Sequence, residues 1–559
     1  MVQLVAAWRG LSGAVGCGSG WELAKTLTAE AAFGAAFQPN GWNVGGRLRA
    51  VDVAGIIRAT AYGLIAILLL YFTVRLLGAT PQVFFWPDSW GYFSPAARHA
   101  AGEAFTGTLG RTVAYPALLD AVVSLGDLRK LYVAQSILAI AGVLAFVGSL
   151  FVVVRQSRQR TFGLILAAGF TLLLVSYQPL TNYVSFAMPE VLYIALSLIV
   201  ALITLAALAS DSATTQLILF VPGVLLSVIN CLVKPHWWGA AIVSIAMLVG
   251  TCASAMSRER RLGFAALIIA LAGSALLISE QWNFSKDDAS AATFGPLTLF
   301  CNHLDVVRPS LDGAIPSSVS PAARQELLAE IDKVLAATDD VWPLNQVNGD
   351  KCMYNPKLNS LLTPMFGEPR DIGRFARSAF ISGVENRPAA YLAKVVRQFM
   401  AALVAPFGDP VRLVSADEDS TAIVARLSLP ARTLVQDAVS TGTTRPVFER
   451  RLAPIEYQAT RVLFIANHFA IYLFAAALIA AGAALRSDDA VYRRSSLLFV
   501  AAFLLYLSSL SVVAVSHTFD IPRYQETTAP LALLSTFASL FALIAAAERL
   551  MARAIGGRS

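Results

Sequence analysis

Charged residues are scarce in this chain of 559 residues. Asp, Glu, Lys and Arg together make up 14%, whereas soluble domains carry roughly 25%. Hydrophobic residues make up 56%. This balance excludes an ordinary soluble domain and predicts an all-α polytopic membrane protein. The net charge of +7 does not indicate a nucleic-acid partner, because the basic residues cluster in short loops between apolar runs, where they set membrane topology.

Signatures of metal and nucleotide binding are also missing. The five cysteines include no Cys-x-x-Cys pair, and no glycine-rich phosphate loop or Rossmann pattern occurs. An obvious cleavable signal is missing too, since residues 1–52 mix Gly, Ser, Trp and scattered charge without a compact apolar core. We expect residues 1–52 to form a cytoplasmic N-terminal extension.

Long apolar runs are what the sequence has in abundance. Runs near or above about 18 apolar residues are typical of membrane-spanning helices. Ten are predicted, at 53–77, 131–154, 161–178, 186–208, 215–233, 237–256, 262–280, 461–485, 495–515 and 528–548.

Arginine-rich loops predict the orientation of these spans. The segments "RQSRQR", "SRERR" and "RSDDAVYRR" and the C-terminal tail fall on one side, which is cytoplasmic by the positive-inside rule. The predicted location is therefore a bacterial inner membrane, with both termini in the cytoplasm. The parts are a first transmembrane part at 53–280 with an outer loop at 79–130, an extracytoplasmic domain at 281–460, and the last three spans with the tail at 461–559.

The outer domain is predicted to be mixed or mostly helical. "SPAARQELLAEIDKVLA" has Ser320 as an N-cap and apolar residues at helical spacing. "NRPAAYLAKVVRQFMAAL", with Asn386 as its cap, is expected to contact lipid headgroups. Cys301 and Cys352 are expected to form a disulfide that stabilises the domain by roughly 4 kcal/mol, the alternative being two free thiols.

Asp88 lies in "FFWPDSWGYFSPAARHA", directly after the first span. Aromatic residues such as Tyr92 suit the membrane interface and would partly shield this carboxylate. Partial desolvation makes a carboxylate a better general base for a hydroxyl substrate. The alternative is that Asp88 only caps the helix that follows.

Other charged residues near span ends are predicted on the same outer side. Lys234 and His236 in "CLVKPHWWG" can donate to phosphate oxygens, and Trp237 offers an apolar or sugar-stacking face. The alternative for Lys234 is snorkelling towards the interface.

Two further motifs add charge to this side. Arg523, followed by Tyr524, suits a phosphate ligand, or alternatively anchors its span at the interface. Glu190 is predicted one turn inside its span, an expensive place for a carboxylate, where it pairs with a cation or binds substrate.

The order of these motifs resembles the GT-C superfamily of membrane glycosyltransferases. The motifs are "PDSWGYFSPA", "GRTVAYPALL", "MPEVLY", "VKPHWW" and "PRYQETTAPLALL", and the resemblance covers about residues 53–280 and 461–548. The most similar members are the polyprenyl-phosphate-sugar enzymes related to protein mannosyltransferases and to the aminoarabinose transferase of lipid A.

The resemblance implies an inverting transfer of a sugar from a polyprenyl-phosphate donor to a hydroxyl of a lipid, glycan or protein acceptor. It implies Asp88 as the base and Lys234 and Arg523 as ligands of the donor phosphate. The remaining candidates are Arg111 and His236 for the phosphate, and Glu190, Tyr92, Trp237 and Tyr524 for substrate binding.

A metal cofactor is not expected, because Ser89 follows Asp88 where many members have a second acidic residue. Two other functions remain open. One is a lipid-linked glycan transporter or flippase, and the other is an oligosaccharide ligase that uses a diphosphate-linked donor.

Overall fold

The computed structural model describes residues 52–81, 83–85, 88–107, 111–253, 258–284, 289–337, 349–408, 432, 454–516 and 522–556. The predicted extension at 1–52 lies outside these residues except for Asp52. The described residues from Ala54 onwards belong to one compact unit. The described residues are helical, and their one β-type contact is an isolated bridge between Phe84 and Phe186.

The first half of the chain begins with helices that place the predicted site. They are α1 Val53–Leu77, α2 Ser89–Ala100, α3 Ala114–Ser124, α4 Arg129–Arg155, α5 Arg160–Val175, α6 Gln178–Tyr183, α7 Glu190–Ala209, α8 Ala213–Val233, the 3-10 turn Pro235–Trp237, α9 Trp238–Ala253 and α10 Arg258–Phe284.

The second half begins with shorter helices between residues 289 and 404, which we call the outer region after its predicted side of the membrane, and returns to long apolar helices. They are α11 Ala289–Asn302, α12 Leu304–Ala314, α13 Pro321–Ala336, α14 Gly349–Met353, α15 Pro356–Phe366, α16 Pro369–Asn386, α17 Pro388–Val404, α18 Pro454–Ala484, α19 Ala490–Ser509, α20 Ser511–Ser516 and α21 Pro522–Gly556.

Nine helices in the described part of the chain are long and apolar enough to cross a membrane, rather than the ten predicted. The difference is α5, which has 16 residues. At 1.5 Å per residue it is about 24 Å long, short of the roughly 30 Å of a bilayer core. The chain therefore has the composition of a multi-pass membrane protein.

The spanning helices differ in how deeply they pack. In the spanning window of α21, 78% of the residues are buried, against 6% in that of α10. Close packing at the centre depends on small residues, as where α4 meets α7. A Cβ added to Gly142 would lie 3.1 Å from the Cα of Ala195, so the two backbones approach as small residues allow.

The arginine-rich loops gather at one end of the bundle. Arg158 donates to Asp489 at 3.1 Å, and Arg494 donates to Asp211 at 2.5 Å. Arg158, Asp211 and Asp489 lie in three different connections between helices, and Arg494 lies near the start of α19, so the contacts join that end of the bundle across the chain. Asp88 and its partners lie at the other end, where α1 and α8 finish and α7 and α21 begin.

The outer region packs around a core of its own that includes a disulfide. Cys301 and Cys352 are bonded, with their Cα atoms 5.4 Å apart. Ser320 caps α13, as predicted, by accepting from the backbone N–H of Ala323. The prediction for the other cap was wrong, because Asn386 ends α16 and Arg387 occupies the N-cap of α17.

One face of α17 packs against protein. Lys394 is fully buried and donates to Asp305 at 2.7 Å and to the carbonyl of Asn302. Leu392, Val396 and Met400 are exposed along the opposite face. The expected headgroup contact can therefore involve only this outward stripe, because the buried Lys394 holds the helix to α11 and α12.

Candidate active site

Asp88 precedes α2 at the N-cap position, yet its side chain makes no capping hydrogen bond. Its carboxylate is bound from both sides instead. Oδ1 accepts from Nη2 of Arg111 at 2.6 Å, and Oδ2 accepts from Nη1 of Arg523 at 2.7 Å. The structure therefore does not support the capping alternative for Asp88.

Glu190 extends this network into the bundle. It is the first residue of α7, not one turn inside a span as predicted, and its carboxylate is fully buried. A carboxylate at a helix N-terminus interacts favourably with the helix dipole. Glu190 accepts from Lys234 Nζ at 2.8 Å, and Arg523 Nε lies 3.3 Å from the same oxygen. Lys234 is 5% exposed and so does not snorkel to the surface.

Five charged side chains thus form one connected cluster, which we call the ionic cluster: Asp88, Arg111, Glu190, Lys234 and Arg523. Three cations face two carboxylates, which leaves one positive charge in excess. Burial alone raises the pKa of Asp88, but the guanidinium groups of Arg523 and Arg111 outweigh it and hold that pKa well below its usual range. The Asp88 carboxylate is therefore ionised at neutral pH.

Aromatic rings surround the cations. The Arg111 guanidinium lies 5.0 Å from the ring centroid of Tyr92, and Lys234 Nζ lies 5.7 Å from that of Tyr524. Burial raises the pKa of Tyr92 to about 12, so its hydroxyl stays protonated. His236 is buried between Tyr193 and Tyr524, at centroid distances of 4.7 and 5.4 Å.

Trp237 has a different environment from the one expected. It is fully buried, and its ring meets that of Tyr193 edge to face at 5.7 Å. The ring presents no accessible stacking face in this structure, and the expected substrate contact of Trp237 stays a prediction. His236 lies next to the ionic cluster, because the Tyr193 and Tyr524 rings that it contacts each lie 5.7 Å from Lys234 Nζ.

The sequence analysis missed a further buried carboxylate, that of Glu526. Glu526 is fully buried and accepts a hydrogen bond from the hydroxyl of Tyr183, while its carbonyl accepts from Tyr177 at 3.3 Å. Glu526 follows Arg523 by three residues in α21, so both lie on one helix face. That spacing was visible in "PRYQETTAP" and was the signal that could have found it.

Trp282, at the end of α10, fixes the loop that carries Arg111. Its indole N–H donates to the Arg111 carbonyl at 2.6 Å, and its ring lies 4.9 Å from that of Phe105. A Cβ added to Gly107 would come within 2.9 Å of the indole, so glycine is required there. Arg111 was expected to be a minor phosphate ligand, and the structure makes it a direct partner of Asp88.

Within the described ranges, no group of three or more His, Cys, Asp and Glu side chains is arranged to hold a metal ion. The two carboxylates of the ionic cluster are bound to arginine and lysine. Both carboxylates are therefore already paired with cationic side chains. The expectation about metal dependence stays a prediction.

Searches against protein-family models, curated proteins and solved structures found no match for this chain. Function must therefore be argued from the geometry. Chemically, the ionic cluster combines an ionised carboxylate with an excess of positive charge in a water-poor place, which suits binding of an anion next to a proton acceptor.

Proposed function

We propose that the protein is an integral membrane glycosyltransferase of the GT-C type. It would move a sugar from a polyprenyl-phosphate donor to an acceptor hydroxyl, with inversion at the sugar carbon. The observation that carries the proposal is the ionic cluster, in which Asp88, Arg523, Glu190 and Lys234 meet although they come from four separate segments. The motifs that resemble the superfamily are the segments that supply these residues.

The charge of the cluster suits a phosphate ester. A phosphate diester carries one negative charge, and the cluster has one positive charge in excess. Arg523 offers a planar set of hydrogen-bond donors, and Lys234 offers a compact positive charge. The two cations are close together because both contact the same oxygen of Glu190. Both lie at the ends of apolar helices. A polyprenyl chain can therefore remain in lipid while its phosphate reaches the two cations.

Asp88 would act as the general base once the donor is bound. A carboxylate held by two guanidinium groups is a weak proton acceptor, because its pKa is low. A phosphate that takes Arg523 leaves Oδ2 of Asp88 free and raises the basicity of Asp88. The acceptor oxygen then attacks the sugar carbon, and its proton passes to Asp88. The bond between the sugar carbon and the phosphate oxygen breaks, and its electron pair stays on the phosphate oxygen. Arg523 and Lys234 stabilise the departing phosphate.

The expected side of the membrane follows from the same arrangement. The ionic cluster lies at the end of the bundle opposite the arginine-rich loops. Short loops rich in arginine are typical of the cytoplasmic side. The transfer would therefore take place on the extracytoplasmic face of a bacterial inner membrane. A donor delivered as a lipid-linked sugar needs no nucleotide site on that face.

Binding of farnesyl phosphate, a short polyprenyl phosphate, tests the proposal without knowledge of the sugar. When detergent-solubilised protein is titrated with farnesyl phosphate, the Kd should be at least tenfold larger for Arg523→Ala and for Lys234→Ala than for the unchanged protein. Arg494→Ala is the matched control, because Arg494 pairs with Asp211 at the opposite end. Equal affinity in all four proteins would refute the phosphate site.

A further inference from the structure

The short helix α14, Gly349–Met353, is tied firmly to the outer region. Its Cys352 is fully buried and bonded to Cys301 of α11. Thr298, also in α11, donates to the sulfur of Met353 at 3.6 Å. A disulfide and a side-chain contact to the same helix hold α14 in one place.

The residues just after α14 strengthen this attachment. Asn355 caps α15 by accepting from the backbone N–H groups of Lys357 and Leu358. Its own amide donates to Glu330 of α13 at 3.2 Å. The segment from Gly349 to Asn355 is therefore held by three different helices, which is the rigidity that a binding site needs.

Asp350 and Tyr354 occupy one face of this fixed segment. The backbone N–H of Tyr354 donates to the Asp350 carbonyl at 3.0 Å, so the two residues are one helical turn apart. Both side chains remain exposed at the surface.

The same face lies within the electric field of the ionic cluster. Partial desolvation and then the charge of Asp88 raise the pKa of Asp350, against the opposing charge of Arg523. Partial desolvation, Asp88 and Asp350 likewise raise the pKa of Tyr354, against Arg111 and Arg523. Geometry agrees, because the Thr298 hydroxyl that contacts Met353 also lies 2.7 Å from the carbonyl oxygen of Phe294, one turn earlier in α11, so this segment packs beside Phe294.

Helix α11 adds an aromatic ring at the same place. The guanidinium of Arg111 lies 5.3 Å from the ring centroid of Phe294, on the helix that also carries Cys301. The disulfide therefore joins α14 to the helix whose Phe294 contacts Arg111, the partner of Asp88.

The geometry points to a carbohydrate-acceptor subsite formed by Asp350, Tyr354 and Phe294, next to Asp88. This inference rests on the proposed glycosyltransferase and names its acceptor class. A carboxylate accepts hydrogen bonds from sugar hydroxyls, and an exposed phenol and a phenyl ring offer faces for the C–H surface of a sugar.

The mixed charge of the surroundings favours a neutral acceptor. A cationic peptide on Asp350 would meet the positive charges of Arg111 and Arg523, and an anionic group would meet Asp350 and Asp88. A neutral polyhydroxyl ligand avoids both repulsions and uses hydrogen bonds alone. The acceptor would approach from water while the donor approaches from lipid, so the two substrates meet at Asp88.

Saturation-transfer NMR on detergent-solubilised protein tests the subsite with defined probes: maltotriose, mannotriose and galactotriose as neutral saccharides and trilysine as a cationic peptide. At least one saccharide should give a signal that falls by half or more in Asp350→Asn and in Tyr354→Ala. Asp332→Asn is the matched control, because Asp332 is an exposed carboxylate of the same region that pairs with Arg308. Its signal should equal that of the unchanged protein.

The disulfide supplies a second measurement. A Cys301→Ser/Cys352→Ser variant should weaken saccharide binding to a similar extent and leave the Kd for farnesyl phosphate unchanged, because the phosphate ligands belong to the membrane helices. An unchanged saccharide signal in both Asp350→Asn and Tyr354→Ala would overturn the subsite.

Three further outcomes separate this inference from the proposed function. Binding of trilysine instead of every saccharide, with farnesyl phosphate still bound through Arg523, would overturn the carbohydrate assignment alone. Absence of all saccharide signals with farnesyl phosphate bound would do the same. Farnesyl phosphate binding that does not depend on Arg523 or Lys234 would instead remove the proposed function on which the subsite rests.

Discussion

Asp88 and Arg523 are 435 positions apart in the sequence and are joined by a hydrogen bond of 2.7 Å between Oδ2 and Nη1. One residue follows the first long apolar helix, and the other begins the last one. This contact joins the two helices at one end of the bundle. In the proposed function, Asp88 and the donor phosphate compete for the same guanidinium.

Replacement of Asp88 by Asn should have opposite effects on binding and on turnover. Farnesyl phosphate should bind several-fold more tightly, because the carboxylate of Asp88 no longer competes for Arg523. Transfer from a polyprenyl-phosphate sugar should fall by about 10² to 10⁴, the usual contribution of a general base. Titration and a transfer assay measure the two effects, with Asp312→Asn, an exposed carboxylate paired with Arg324, as the control. Near-normal transfer in Asp88→Asn would remove Asp88 as the base.

The buried pair of Glu190 and Lys234 should be costly to break from one side only. Glu190→Gln leaves a buried ammonium without its carboxylate and should lower the free energy of unfolding by about 3 to 5 kcal/mol. Glu190→Gln with Lys234→Met removes both charges and should recover part of the loss. Denaturant titration of the two single variants and the double variant gives the coupling. Additive losses would show that the pair contributes no mutual stabilisation.

The pH dependence of stability should show the ion pairs of Asp88. Its pKa in the folded protein lies below the value of about 3.9 for an unfolded chain, although burial alone would raise it, because Arg523 and Arg111 dominate. Such a group adds stability above the unfolded pKa and loses it as the pH falls through the folded pKa.

The difference in melting temperature between the unchanged protein and Asp88→Asn should therefore be constant from pH 8 to about pH 5. It should shrink below about pH 4. Thermal unfolding across this range measures it. A difference that already disappears near pH 6 would contradict the lowered pKa.

Two glycines of α9 should respond differently to alanine. A Cβ at Gly239 would overlap the backbone carbonyl oxygen of Ser508 in α19, whereas a Cβ at Gly250 meets nothing within 4 Å. Gly239→Ala should destabilise the protein by about 1 to 3 kcal/mol. Gly250→Ala, the control in the same helix, should be neutral or stabilising by up to about 1 kcal/mol. Equal melting temperatures would contradict the close approach of α9 and α19.

Much of the helical framework was readable in the sequence because apolar runs and caps are local features. Nine of the ten predicted runs appear as helices of spanning length, and Ser320 begins α13 as its spacing indicates. Local pattern fails where a helix is short or broken, as at Arg160–Val175, and where two helices share a junction, as at Asn386 and Pro388. The hydrophobicity of a run does not report where its hydrogen-bonded turns end.

The sequence by itself determined which residue types stand at the outer ends of the spans, since charges at membrane depth are too costly to be scattered without partners. Only the tertiary structure decided the pairing: that Asp88 takes two arginines, that Glu190 takes Lys234, and that Trp237 is buried. It also placed Phe294, from a region whose sequence resembled nothing familiar, against Arg111. The physical reason is that periodicity fixes a helix and its faces, whereas the partner of a charge depends on which helix ends pack together.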